Sequence, residues 1–89
     1  MVDKVRFEKD AIKELNIAKC YFDSLDKGNL FINDFENQVS LITTMPEAFQ
    51  IRYKQVRIIS FSDFSYTIHY VFENNIIVIF NILNQYQDY

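Results

Sequence analysis

The 89-residue chain has one glycine, one proline and one cysteine. So little Gly and Pro leaves no room for a flexible linker, and no repeat or low-complexity tract breaks the sequence. A lone Cys20 cannot close an intramolecular disulfide, which fits a reducing compartment. Its plainest reading is a small, partly buried side chain on a helix. The longest apolar run, "IIVIF" at 76–80, falls far short of the ~20 residues that cross a bilayer. The start, "MVDKVRFEKD", is charged where a signal peptide has its apolar core. There is a single histidine, His69, and no Cys/His cluster at ligand spacing, so neither metal nor cofactor is expected. These absences point to a soluble cytoplasmic protein with no membrane partner. One further absence concerns charge: no Lys or Arg follows Arg57.

The hydrophobic fraction is 49% and the aromatic fraction 17%. Residues 1–89 are therefore expected to form one globular domain with a core just large enough to fold alone. The net charge of -3 disfavours non-specific binding to nucleic acid, because phosphate contacts need a cationic surface.

Two periodicities organise the chain. "KVRFE" at 4–8 alternates weakly and suggests a short edge strand. Ala11, Leu15, Ala18, Phe22 and Leu25 then recur at helical spacing, with Asp10 as N-cap and Gly28 as the stop. A second helical stripe, Phe31, Phe35, Val39, Ile42 and Met45, ends before Pro46. A loop this short makes the two helices antiparallel neighbours. Beyond Pro46 the period becomes two. "QIRYKQVRIIS" reads as a strand, "SDF" as a turn, "FSYTIHYVF" as a strand, "ENN" as a hairpin signal and "IIVIFNIL" as a central strand covered on both faces. The predicted fold is α+β: a short strand and an αα-hairpin packed on a sheet that ends in a three-stranded meander.

Residues 49–61, "FQIRYKQVRIISF", hold three of the nine cations and no acid. Arg52 and Lys54, two apart, share a face of a strand, and Arg57 falls on the other unless a bulge intervenes. Such charges either protect a solvated edge or form an anion-binding patch. Arg57, between Val56 and Ile58, needs a partner, which one of the acidic residues could supply. His69 lies between Ile68 and Tyr70 and reads as a hydrogen-bonded sheet histidine rather than a general base. The aromatic face Phe64, Tyr66, Ile68, Tyr70 and Phe72 reads as core.

An αα-hairpin ending in "TTMPEAF", followed by "IRYKQVRIISFSDFSYTIHYVFENNIIVIFNIL", resembles the RelE/ParE superfamily of toxins from bacterial type II toxin–antitoxin modules. The resemblance spans nearly the whole chain. It implies a toxin held by a cognate antitoxin whose C-terminal segment wraps around it. Two activities follow from the superfamily: RelE-like members cleave messenger RNA on the ribosome, and ParE-like members inhibit DNA gyrase. Cleavage would assign Arg52, Lys54 and Arg57 to the phosphate and Tyr86 to acid/base work. Yet where relatives carry His and Arg after the last strand, this chain reads "NQYQDY". With Asp88 nearby and no cation beside it, nothing would lower the pKa of Tyr86. The resemblance therefore favours the ParE-like, gyrase-binding branch. It leaves as alternatives a ribosome-dependent endoribonuclease and a non-toxic member that still binds antitoxin, and leaves homo-oligomers open.

Overall fold

The computed structural model describes residue 2 and residues 4–85. In chain order these form β1 (Lys4–Phe7), α1 (Lys9–Asp23), α2 (Gly28–Thr44), β2 (Ile51–Tyr53), β3 (Val56–Ser60), β4 (Tyr66–Glu73) and β5 (Ile76–Asn84). The five strands make one sheet in the order β1-β5-β4-β3-β2. β1 is parallel to β5, and the other neighbours are antiparallel. No helix among the described residues is long and apolar enough to cross a membrane.

The helical hairpin forms as its stripes predict. Ala11 and Ala18 of α1 and Phe31, Phe35 and Ile42 of α2 are buried, with Leu15, Phe22 and Val39 packed against them. The ends differ from expectation. Glu8, not Asp10, occupies the N-cap, with no side-chain cap bond, and Asp10 sits in the first turn, where its charge suits the helix dipole. Gly28 does not stop α1: it opens α2. The stop is Asp26, at φ 59°, with Lys27 N–H donating to Phe22 O (2.8 Å) and Asp26 N–H to Asp23 O (3.1 Å), a Schellman arrangement. A Cβ at Gly28 would meet the carboxylate of Asp23, the end of an exposed side chain, and lie 3.3 Å from Asp23 Cα. Leu25 and Met45 stay exposed at the hairpin ends, and so does Cys20.

The sheet contains a four-stranded antiparallel meander, β2 to β5. The stretch 50–60, expected as a single strand, folds back at Lys54 (φ 42°) and Gln55 (φ 69°) into a two-residue hairpin. Asn74 (φ 53°) and Asn75 (φ 62°) make the second such turn, in the primed conformation that matches strand twist. In β5 the register steps between His69↔Asn81 and Tyr70↔Ile79, leaving Phe80 as an extra residue. Asn81 Oδ1 accepts the Ile82 N–H at 2.9 Å. This bulge lets Ile79 and Ile82, three apart, both enter the core.

The helices cover one face of the sheet. The core between the layers is centred on Phe31, which stacks on Phe22 (5.0 Å) and Phe61 (5.2 Å) and meets Phe64 and Tyr66 edge-on (both 5.3 Å). Ile68, Tyr70, Ile77, Ile79 and Ile82 complete it from the strands.

One acid lies in this seam. Asp34 of α2 is 4% exposed. Its carboxylate accepts the backbone N–H of Ser62 (3.0 Å) and Asp63 (2.7 Å) and the side chain of Gln38 (2.9 Å). Gln38 also donates to Ser62 Oγ at 2.9 Å. Burial pushes the Asp34 pKa up, but the donated hydrogen bonds outweigh it and hold the group below its usual 3.8. Replacing Asp34 with Ala takes the acceptor from two amides of the β3–β4 turn and is expected to cost about 2 kcal/mol in urea unfolding. The pKa is depressed in the folded state, so the contribution is full above pH 3.8 and disappears as pH falls through the folded value. The stability gap between wild type and Asp34→Asn should therefore narrow on acidification below that point.

Candidate functional site

The cations expected to act together are placed in different surroundings. Arg57 pairs across the sheet with Tyr70, a core residue, and so points toward the helical layer. Its Nη1 donates to Phe49 O (2.6 Å) and Glu47 O (3.3 Å). Tyr70 donates to Pro46 O at 2.8 Å. Together these two side chains clasp the segment between α2 and β2. The partner of Arg57 is thus a pair of backbone carbonyls rather than a carboxylate. Burial raises the Tyr70 pKa to about 12, against the opposing pull of the Arg57 charge, so the phenol stays a donor throughout the ordinary pH range.

Lys54 lies at the tip of the β2–β3 turn and Arg52 beside the register shift between Ile51 and Tyr53. Both are exposed, and neither has an ion pair among the described residues, where Lys19–Asp23 is the one salt bridge. Arg52 and Lys54 thus belong to an exposed edge hairpin, and Arg57 to the clasp beneath it. Tyr86, the remaining candidate, lies outside the described residues.

His69 is fully buried on the face of β4 opposite the core. Tyr53 of the edge strand reaches its Nδ1 at 3.1 Å, and Thr67 Oγ1 lies 3.1 Å from Nε2. The Thr67 hydroxyl donates to Leu83 O at 3.3 Å. Both ring nitrogens thus lie within hydrogen-bond distance of a hydroxyl. Burial lowers the His69 pKa below 6.5. This histidine ties the cationic hairpin to the sheet, a role that its flanking sequence does not reveal, because Tyr53 comes near only once the chain folds back at Lys54.

The described residues therefore present no convergent set of cation, base and nucleophile, and no group of three or more His, Cys, Asp or Glu that could hold a metal. What they present is a basic edge hairpin fixed from two sides. Arg57 and Tyr70 hold its root, and the Tyr53–His69 contact holds its strand.

No protein-family model matches the sequence, and no curated protein matches it. Solved structures do match, and one is a chain described as "Chromosomal ParDE TA system from P. aeruginosa". The TM-score is 0.67 at 10% identity, over 91% of this chain and 94% of that one. The two share a fold, the α+β arrangement of the RelE/ParE type.

Two outcomes check the site. Arg57→Ala removes both carbonyl contacts and is expected to lower stability by about 2 kcal/mol, read by chemical denaturation, with faster amide exchange across 46–53. The His69 pKa is depressed by burial, so the unfolded chain takes up a proton that the folded chain refuses. Stability should fall as pH drops below 6.5 and level off below the folded pKa. His69→Gln should lose that step in a pH series of thermal melts.

Proposed function

We propose that the chain is the toxin of a type II toxin–antitoxin module of the ParE-like kind. In this reading it acts in the cytoplasm by binding a protein target such as DNA gyrase, and a cognate antitoxin neutralises it. The observation that carries the reading is the fold shared, over nearly its whole length, with a chain of a ParDE toxin–antitoxin system. The placement of the cations supports a binding protein over a nuclease. General acid–base cleavage of RNA needs cations gathered on the scissile phosphate with a proton acceptor beside them. Here Arg57 is engaged by loop carbonyls on the helical side, and His69 is buried behind Tyr53.

The test is induced expression in a bacterial host, with and without the product of the adjacent reading frame. Growth arrest relieved by that product is expected, together with loss of supercoiling by purified gyrase and intact messages in primer extension on active ribosomes. Arrest with cleaved messages would replace the gyrase reading by the nuclease one. Normal growth with tight binding of the neighbour's product would identify a non-toxic member.

A further inference from the structure

Away from the basic hairpin, α2 and the β3–β4 turn enclose a cleft of about 330 Å³, near the low end of the ~300–1,000 Å³ of small-molecule sites. Leu30, Asn33, Asp34 and Asn37, spaced to share one face of α2, form its helical wall. Asp63 and Phe64 of the turn form the other wall, and Lys27 stands at the end where α2 begins. The walls are fixed to one another. Asp34 accepts the Ser62 and Asp63 amides, and Gln38 bonds to both Asp34 and Ser62.

The other polar groups of the cleft are free to bind. Lys27, Asn33, Asn37 and Asp63 are exposed, and their side chains have no hydrogen bond or ion pair among the described residues. Lys27 and Asp63 in particular line one cleft without pairing with each other. The helix keeps them apart. Asp34, whose carboxylate holds the Asp63 amide, lies seven positions beyond Lys27, a rise of about 10 Å. The cleft is therefore dipolar, with an ammonium where α2 begins and carboxylates at the level of the turn. Between them stand two carboxamides, each able to donate and accept, and apolar surface from Leu30 and Phe64. A phosphate-bearing ligand is disfavoured, because the carboxylates of the cleft outnumber its one cation.

We propose that this cleft binds a zwitterionic dipeptide with an apolar side chain, its carboxylate on Lys27, its ammonium on Asp63 and its peptide group between Asn33 and Asn37. An extended dipeptide is about 7 Å long at ~3.3–3.6 Å per residue. A hydrogen bond of about 2.9 Å at each end extends its reach to the span between the two charges. A free amino acid carries both charges on one carbon and is too short to meet both ends. The side chain of the ligand would rest on Leu30 and Phe64, which lose water when covered. Asp34, kept ionised by the N–H groups it accepts, adds its field at the ammonium end. The proposal does not depend on the toxin–antitoxin reading.

The probe is alanyl-leucine, titrated into isotope-labelled protein and read by NMR at the amides of residues 62–64 and the side-chain amides of Asn33 and Asn37. Saturable shifts with a Kd of about 1 mM or tighter are expected. N-acetylation of the probe removes its ammonium and amidation removes its carboxylate, and each should weaken binding about tenfold. Asp63→Asn should weaken the free dipeptide by a similar factor yet leave the N-acetylated one unchanged. Lys27→Gln should do the same with respect to the amidated one. Both side chains are exposed and unbonded, so the variants keep the fold, which a thermal melt checks. Either arm alone is decisive. Lys13→Gln on α1 should leave affinity within about twofold. Absence of saturable shifts at about 10 mM would overturn the proposal, as would equal binding of the free and blocked probes. Leucine binding as tightly as the dipeptide would overturn the assignment of two charged ends. Binding of AMP in this cleft, strengthened by Asp63→Asn, would overturn the peptide assignment.

Discussion

A carboxylate in an aromatic seam is costly unless its lone pairs are filled, and Asp34 fills them with consecutive amides of the β3–β4 turn. The bond pattern joins the two layers at one point: α2 supplies the acid, and residues 62–63 supply the donors. Gln38, one helical turn further on, bridges acid and turn together. This fixes where α2 sits along the sheet, and with it the surroundings of Phe31. Phe61 and Phe64, which flank the tethered turn, are two of the rings that close around Phe31. Aromatic burial supplies most of the driving force but is tolerant of small slides. The charge-assisted bonds at Asp34 are directional and are not. The same interaction that costs most to desolvate therefore sets the alignment of the layers.

At the far end of the interlayer space the problem is solved with cations and phenols instead. The segment between α2 and β2 has no regular structure, so its carbonyls need donors from elsewhere. Arg57 and Tyr70 provide them, reaching Glu47, Phe49 and Pro46. The clasp explains why an arginine stands between Val56 and Ile58. It also sets the departure angle of the β2–β3 hairpin, which has a single neighbouring strand and would otherwise be held by short pairing alone. The Tyr53–His69 contact adds the second attachment.

Much of this fold was legible because periodicity is a backbone property. The stripes of α1 and α2, the alternation in β4 and the Asn74–Asn75 turn each announce themselves locally. What stayed hidden depends on contacts distant in sequence or on residues used against type. Lys54 and Gln55 adopt left-handed backbone without Gly or Asn to signal it, so the alternation runs on as if for one strand where the chain makes a hairpin. Asp26 takes the helix-ending position, while Gly28 opens α2. The bulge at Phe80 is invisible inside a run of apolar residues. Asp34 carries no local sign of its role, since its amide donors lie 28 and 29 residues away. At the candidate site, the cationic stretch was legible as a feature, but its division into clasp and exposed tip was not, because that division follows from the missed turn.

The turn at Lys54 also decides how the basic stretch should be understood chemically. On one continuous strand, Arg52 and Lys54 would share one face and Arg57 would take the other. Folded back, the stretch engages Arg57 with the loop carbonyls and leaves Lys54 exposed at the tip of the turn. Arg57, engaged by the carbonyls of Glu47 and Phe49, becomes part of the frame that holds the loop rather than a free cation, while Arg52 and Lys54 face solvent. The physical consequence of one unmarked turn is thus a division of labour within a single basic stretch, one cation spent on backbone carbonyls and two left at the surface.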